Sequence, residues 1–253
     1  MRKPIISVHL WTERFLGVEE AHRFLAMIRS LEDGKWTPDK WGHFEPIKNT
    51  FAVEAEDQVI RAWVEERSGR ISNSIYFTKK NPALLVGVTN WKGKVPDLNY
   101  IWFDVEASEF TGSDGVVRLI RIITDFIVWS GAVYATAWQS NQRHHRSAPG
   151  NPMKRLDQLN WLTFFGYPYL SLLGENRVRN CSFYSCERLL DGLLLTASES
   201  PDSPAITESD DLLLGLEACL DSGIFATEEY PEVPCQVPAF DLRQTVVQLS
   251  SSS

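Results

Sequence analysis

The groups in this chain able to do chemistry are carboxylates, imidazoles and indoles, and a few of them have informative spacing. Asp104 and Glu106 stand two apart in the run Tyr100-Ile101-Trp102-Phe103-Asp104-Val105-Glu106. If that run is a strand, both carboxylates leave it on the same side. Two carboxylates on one face can share acid–base work or contribute to a metal site. A metal would need about three more ligands that no spacing supplies, so an ordinary solvated strand face is the simpler reading. Arg143-His144-His145-Arg146 offers bases and cations together, yet adjacent residues rarely aim at one point, and the segment reads as a polar loop. Glu208, Asp210 and Asp211 precede a predicted helix, where acids meet the positive end of the helix dipole. That alone accounts for them, and they could also face a basic partner. Trp36, Trp41 and Trp91 fall in predicted loops. Loop indoles are either anchors for a protein partner or residues folded back on the core. Glu208, Asp210, Asp211, Trp36, Trp41, Trp91, Asp104 and Glu106 are therefore the candidate partner-binding residues. No catalytic residue, metal ligand or cofactor is expected.

The chain lacks a Gly-x-Ser-x-Gly elbow, a Gly-rich phosphate loop ending in Lys-Ser/Thr, a His-Glu-x-x-His pair and a dinucleotide fingerprint. This lowers the expectation of an enzyme without removing it. Cys181, Cys186, Cys219 and Cys235 form no Cys-x-x-Cys pair, and reduced thiols in a cytoplasmic protein are expected. The start Met1 to Trp11 has a basic beginning, but His9 interrupts its apolar run and no small-residue cleavage site follows, so it is not read as a signal peptide. No stretch approaches the roughly 18 apolar residues of a membrane span.

Charge is distributed unevenly. The 253 residues carry a formal net charge of −8, which disfavours direct binding to nucleic acid, since phosphate contacts depend on Lys and Arg. From Glu187 to Ser253 there are 13 acids against Arg188 and Arg243, while residues 1–186 hold 20 acids and 23 bases. The acidity belongs to the last quarter, where it is either a solubilising surface or a means of steering a basic partner.

The elements that would hold these groups follow from periodicity. Ile5–Trp11 reads as a strand; Val18–Leu31 and Glu54–Arg67 read as helices with apolar stripes. Ser74–Thr78, Leu84–Thr89 and Tyr100–Glu106 are strand-like runs without room for helical crossovers, hence antiparallel. A helix capped by Ser113 or Asp114 runs to Ser130, Gly131 stops it, and Ala132–Gln139 returns as a strand. After a polar loop over 140–151 come an aromatic segment at 161–173, a hairpin about Asp191-Gly192, and a helix over 210–221. A Pro-rich, acidic tail (228–253) lies along the body before fraying at Ser250. Together these predict one large α+β domain over 1–253, a mainly antiparallel sheet with helices packed against it.

Three segments are more specific: Leu159-Asn160-Trp161-Leu162-Thr163-Phe164-Phe165-Gly166-Tyr167-Pro168-Tyr169-Leu170, then Leu173-Gly174-Glu175-Asn176-Arg177-Val178, then Asp191-Gly192-Leu193-Leu194-Leu195. They resemble the C-terminal half of bacterial immunity proteins of the immunity-protein-52 type, as does the closing Val237-Pro238-Ala239-Phe240-Asp241. The likeness is firm from about 155 to 241 and thin elsewhere, with Trp41-Gly42-His43-Phe44-Glu45-Pro46 compatible. It implies a cytoplasmic, non-enzymatic protein that binds and neutralises a cognate toxin, of nuclease type, from a type VI or contact-dependent secretion system. No toxin-contacting residue carries over from the resemblance. A hydrolase using Asp104, Glu106 and His144 or His145, and an adaptor of a secretion or phage system, are the alternatives.

Overall fold

Burial alternates residue by residue along 99–106, as a strand in a half-covered sheet requires, and the computed structural model places this strand at the middle of one. The structure describes residues 3–65, 72–91, 97–140, 152–156, 158–209, 211–225 and 236–245. In chain order, β1 (Ile5–Thr12) leads to helix α1 (Val18–Ser30), the short strands β2 (Lys40–Gly42) and β3 (Asn49–Thr50), and helix α2 (Glu56–Val64). A meander follows, β4 (Ser72–Lys79), β5 (Leu84–Trp91) and β6 (Asn99–Glu106), then helix α3 (Gly112–Ser130) and β7 (Ala132–Gln139). The last third holds β8 (Leu162–Phe165), α4 (Tyr167–Leu173), α5 (Glu175–Asn180), β9 (Ser185–Leu189), β10 (Gly192–Thr196), α6 (Pro204–Thr207) and α7 (Asp211–Leu220).

These strands form one ten-stranded antiparallel sheet in the order β3-β2-β4-β5-β6-β1-β7-β8-β10-β9. The expected α+β class, with a mainly antiparallel sheet and packed helices, is what the structure shows. Helices cover the two faces at opposite ends. On the first face, α1, α2 and α3 bury Val8, Leu10, Phe77, Val86, Ile101 and Phe103. Phe24 of α1 is the hub there, with ring centroids 5.3 Å from Trp63, 5.1 Å from Phe77 and 5.1 Å from Trp129. Each such side chain contributes about 1.5–3 kcal/mol through burial. On the second face, α4 lies over β7, β8 and β10, and its Tyr169 packs on Tyr134 and Phe165, the three ring centroids 5.3–5.9 Å apart.

A row of buried polar residues closes one end of the sheet. Asn73, Asn90, Asn99 and Thr12 sit on four neighbouring strands, each at most 4% exposed. Their side chains bind the backbone of passing loops and of the last turns of α2 and α3. Asn73 donates to Trp63 O at 2.7 Å, and Asn90 both donates to Leu16 O (2.9 Å) and accepts from Leu16 N (3.1 Å). Asn99 donates to Arg14 O and Thr245 O, and Thr12 donates to Ser130 O. Buried amides are tolerated where such bonds replace water.

Several expectations need correction. The long helix starts at Gly112 behind Thr111, with no side-chain cap, so neither Ser113 nor Asp114 caps it; Asp114 lies in the first turn instead. The β9–β10 hairpin turns at Leu190-Asp191, and Gly192 is already in strand. Gly192 serves close packing there, because a Cβ would come within 2.5 Å of the Phe164 ring and of Phe165 O. The thiols are not all reduced: Cys181 and Cys219 are bonded (S–S 2.11 Å), joining the end of α5 to α7. Cys181 belongs to the second apolar cluster, and the bond ties it to the exposed Cys219, 38 residues on in sequence. Cys186 is free and half-buried, and Cys235 lies outside the described residues. Described parts of the tail do lie on the body, with Gln236 N–H donating to Gly223 O and Phe240 against Tyr169.

Candidate partner-binding face

The second face of the sheet is covered by α4, α5 and α7 only towards its β7–β10 end. Among the described residues no helix packs extensively on this side of β4, β5 and β6, although Tyr100 of β6 borders the second apolar cluster. The strand registers arrange its side chains in rows: Thr78, Leu85, Asp104, Ser7 and Trp138 in one, then Tyr76, Gly87, Trp102, His9 and Thr136, then Ser74, Thr89, Tyr100, Trp11 and Tyr134. The residues of β4, β5 and β6 in these rows are half-buried, except Gly87, which lies beneath an indole.

Local chemistry within the rows is dense. Tyr100 Oη is in hydrogen-bond contact with His9 Nδ1, and the His9 ring lies 4.6 Å from Trp138 and 5.5 Å from Tyr100 between centroids. Burial pushes the Tyr100 hydroxyl well above the usual phenol range, with the nearby Asp104 carboxylate adding to it. Burial also raises Asp104, against the lowering effect of a hydrogen bond from Ser7. Glu106 is the opposite case: Lys3 at 2.5 Å and Ser108 at 2.7 Å stabilise its charged form and lower its pKa. One strand thus carries two carboxylates of different character, one matched by a cation and one partly desolvated. Asp104 belongs to no ion pair among the described residues.

The candidate residues read from sequence separate into three groups. Asp104 and Glu106 share this face, as their spacing predicts. Trp36 and Trp41 do not reach a partner surface: Trp36 is 1% exposed, stacked on Phe110 at 5.5 Å with its indole N–H on Glu32, and Trp41 is 6% exposed opposite Phe77. Trp36 closes a turn and Trp41 lies in β2 rather than in a loop, and in both the burial of a large indole outweighs any advantage of display. Trp91 ends β5, half-buried, its backbone N–H bound to Asn99 Oδ1. Glu208 and Asp211 are exposed beside α7, and Asp210 is outside the described residues, as are Arg143, His144, His145 and Arg146. α7 packs on α5 and α6, and among the described residues no contact joins these acids to Asp104. Missed at first were Tyr76, Tyr100, Trp102 and His9, although Tyr100 and Trp102 share the parity of Asp104 and Glu106.

Among the described residues no three His, Cys, Asp or Glu side chains gather to hold a metal ion, and no helix is long and apolar enough to cross a membrane. No family model matches the chain, and no curated protein matches it in sequence. Solved structures do resemble it. One is a T6SS protein of Pseudomonas aeruginosa, 14% identical, with a TM-score of 0.60 over 98% of this chain and 82% of the other. Another comes from the toxic C-terminal tip of CdiA from Pseudomonas aeruginosa in complex with an immune protein. It is 10% identical, with a TM-score of 0.29 over 55% of this chain and 88% of that one, too loose a match to build on. At such identities the first likeness shows a shared fold.

Proposed function

We propose that this chain is an immunity protein, which protects a cell by binding a toxin and holding it inactive without turnover. The observation that carries the reading is the match of nearly the whole fold to a T6SS protein. The open sheet face supports it: aromatic rings and a partly desolvated carboxylate are ingredients of a protein interface. The finer reading is a basic nuclease toxin of a type VI or contact-dependent system, met in the cytoplasm, and an inhibitor of the immunity-protein-52 type. It rests on the resemblance of 159–178 and 191–195 and on the acidic C-terminal quarter, which suits a partner built to hold phosphates.

The His9–Tyr100 contact beside Asp104 favours a second reading, an acid–base enzyme, because perturbed titratable groups concentrate at catalytic sites. Co-expression with the protein encoded next to this one separates the two. An immunity protein restores growth and co-purifies with its toxic neighbour as a stoichiometric complex. A toxic neighbour that is neither bound nor neutralised removes the immunity reading.

A further inference from the structure

The open face has a flat centre with a specific cause. A Cβ on Gly87 would lie 2.4 Å from Trp102 Nε1 and 2.7 Å from Cε2. Only glycine lets the indole lie flat across β5, and any side chain there would push it up. Tyr76 flanks the indole from β4, with centroids 6.3 Å apart and planes at 56°. Asp104 follows on the same side of the same strand, about 6.6 Å along it at a strand's rise per residue. Next along is Glu106, already held by Lys3. The shelf therefore offers the ring face of an indole and, one step away, a carboxylate without a cation among the described residues.

We propose that the Trp102–Asp104 shelf receives an arginine from a basic protein partner, its guanidinium stacked on the indole and donating hydrogen bonds to Asp104. This rests on the reading that the chain acts by binding a toxin. Charge complementarity selects the occupant: a partly buried, uncompensated carboxylate is costly alone and favourable once a cation is desolvated against it. Geometry selects arginine over lysine, because a planar guanidinium can stack on a ring while its edge forks to a carboxylate, and an ammonium cannot do both. An open sheet face fits a protein surface better than a small molecule, which binds where it can be enclosed.

The test is calorimetry with the toxin domain encoded beside this chain and, independently, with a penta-arginine and a penta-lysine peptide. Trp102→Ala is expected to weaken toxin binding about 30-fold or more, the loss of a central anchor, with Trp102→Phe in between and Asp104→Asn weakened about tenfold. Circular dichroism and the unfolding midpoint of each variant report whether the sheet is intact; Trp102→Phe and Asp104→Asn keep the test decisive if Trp102→Ala does not fold. Penta-arginine should bind wild type more tightly than penta-lysine does, and Trp102→Phe and Asp104→Asn should each reduce that preference. Folded variants that bind the toxin like wild type overturn the shelf and leave the immunity reading standing. If wild type ignores the toxin but keeps an arginine preference that the variants lose, the immunity reading fails and the shelf survives. With neither toxin binding nor arginine preference, both fall.

Discussion

At the scale of single residues, Asp104 carries a conflict between fold and function that can be measured. Its folded-state pKa is raised above the ordinary 3.8, chiefly by burial. The native state therefore binds its proton more tightly than the unfolded chain does. The resulting stabilisation is fully present below pH 3.8 and is lost as pH rises through the folded-state value. Asp104→Asn, which keeps the shape without the charge, is expected to match wild type below that window and to be more stable at pH 7 by chemical denaturation, while binding its partner less well. Equal stability at pH 7 would mean the carboxylate is solvated after all. Gly87→Ala acts through sterics instead. The new Cβ meets a rigid indole, so a loss of about 1–3 kcal/mol is expected from overpacking, and the same change in a Trp102→Ala background should be milder. The spacing of Asp104 and Glu106 was legible in the sequence because strand parity is a local rule. Their difference was not, since it depends on the burial of Asp104 under the folded sheet and on Lys3, which is distant in the chain from Glu106. Burial of Trp36 and Trp41 was equally hidden, because a turn does not announce which way its indole folds and a three-residue strand such as β2 leaves no periodicity to read.

At the scale of elements, most strands and helices follow from periodicity alone. β1, α1, β4 to β7 and α3 lie where the apolar spacing puts them. What local pattern could not supply is how helices divide between the two faces, since that is decided by long-range pairing of β1 with both β6 and β7. The same pairing leaves most of the β4–β6 face without an extensively packed helix among the described residues. The buried asparagine row is another product of tertiary structure: by composition alone these residues suit turns, yet they fasten loops to strand ends. Asn90→Ala should cost about 1–3 kcal/mol in equilibrium unfolding by stranding the Leu16 N–H, while the Leu16 C=O keeps its bond from the Trp63 indole N–H; a cost near zero would mean water satisfies the N–H. In the second cluster, the Cys181–Cys219 bond closes a loop of 38 residues. Chain-entropy reasoning assigns such a loop about 4 kcal/mol. Cys219→Ser should lose stability of that order, and a reductant should bring wild type down to the variant. A cytoplasmic protein would keep the pair reduced, so alkylation of freshly lysed cells reports directly on the compartment.

For the whole molecule, charge and shape divide the work. Asp211 is exposed at the start of α7, in the acidic C-terminal quarter. Asp210→Lys with Asp211→Lys is expected to slow association with a basic toxin several-fold and flatten its salt dependence, leaving dissociation nearly unchanged. Changes at Trp102 should act the other way, on dissociation. Stopped-flow rates at two salt concentrations separate them; an unchanged association rate would make the acidic quarter a solvated surface only. The central claim is that this protein works by occupying its target. The most direct measurement is a titration of the purified toxin's activity with the purified chain. The account predicts a linear fall that reaches zero at a fixed stoichiometric ratio and stays there with time. Full inactivation by a small fraction of an equivalent, growing with incubation, would reveal turnover and contradict it.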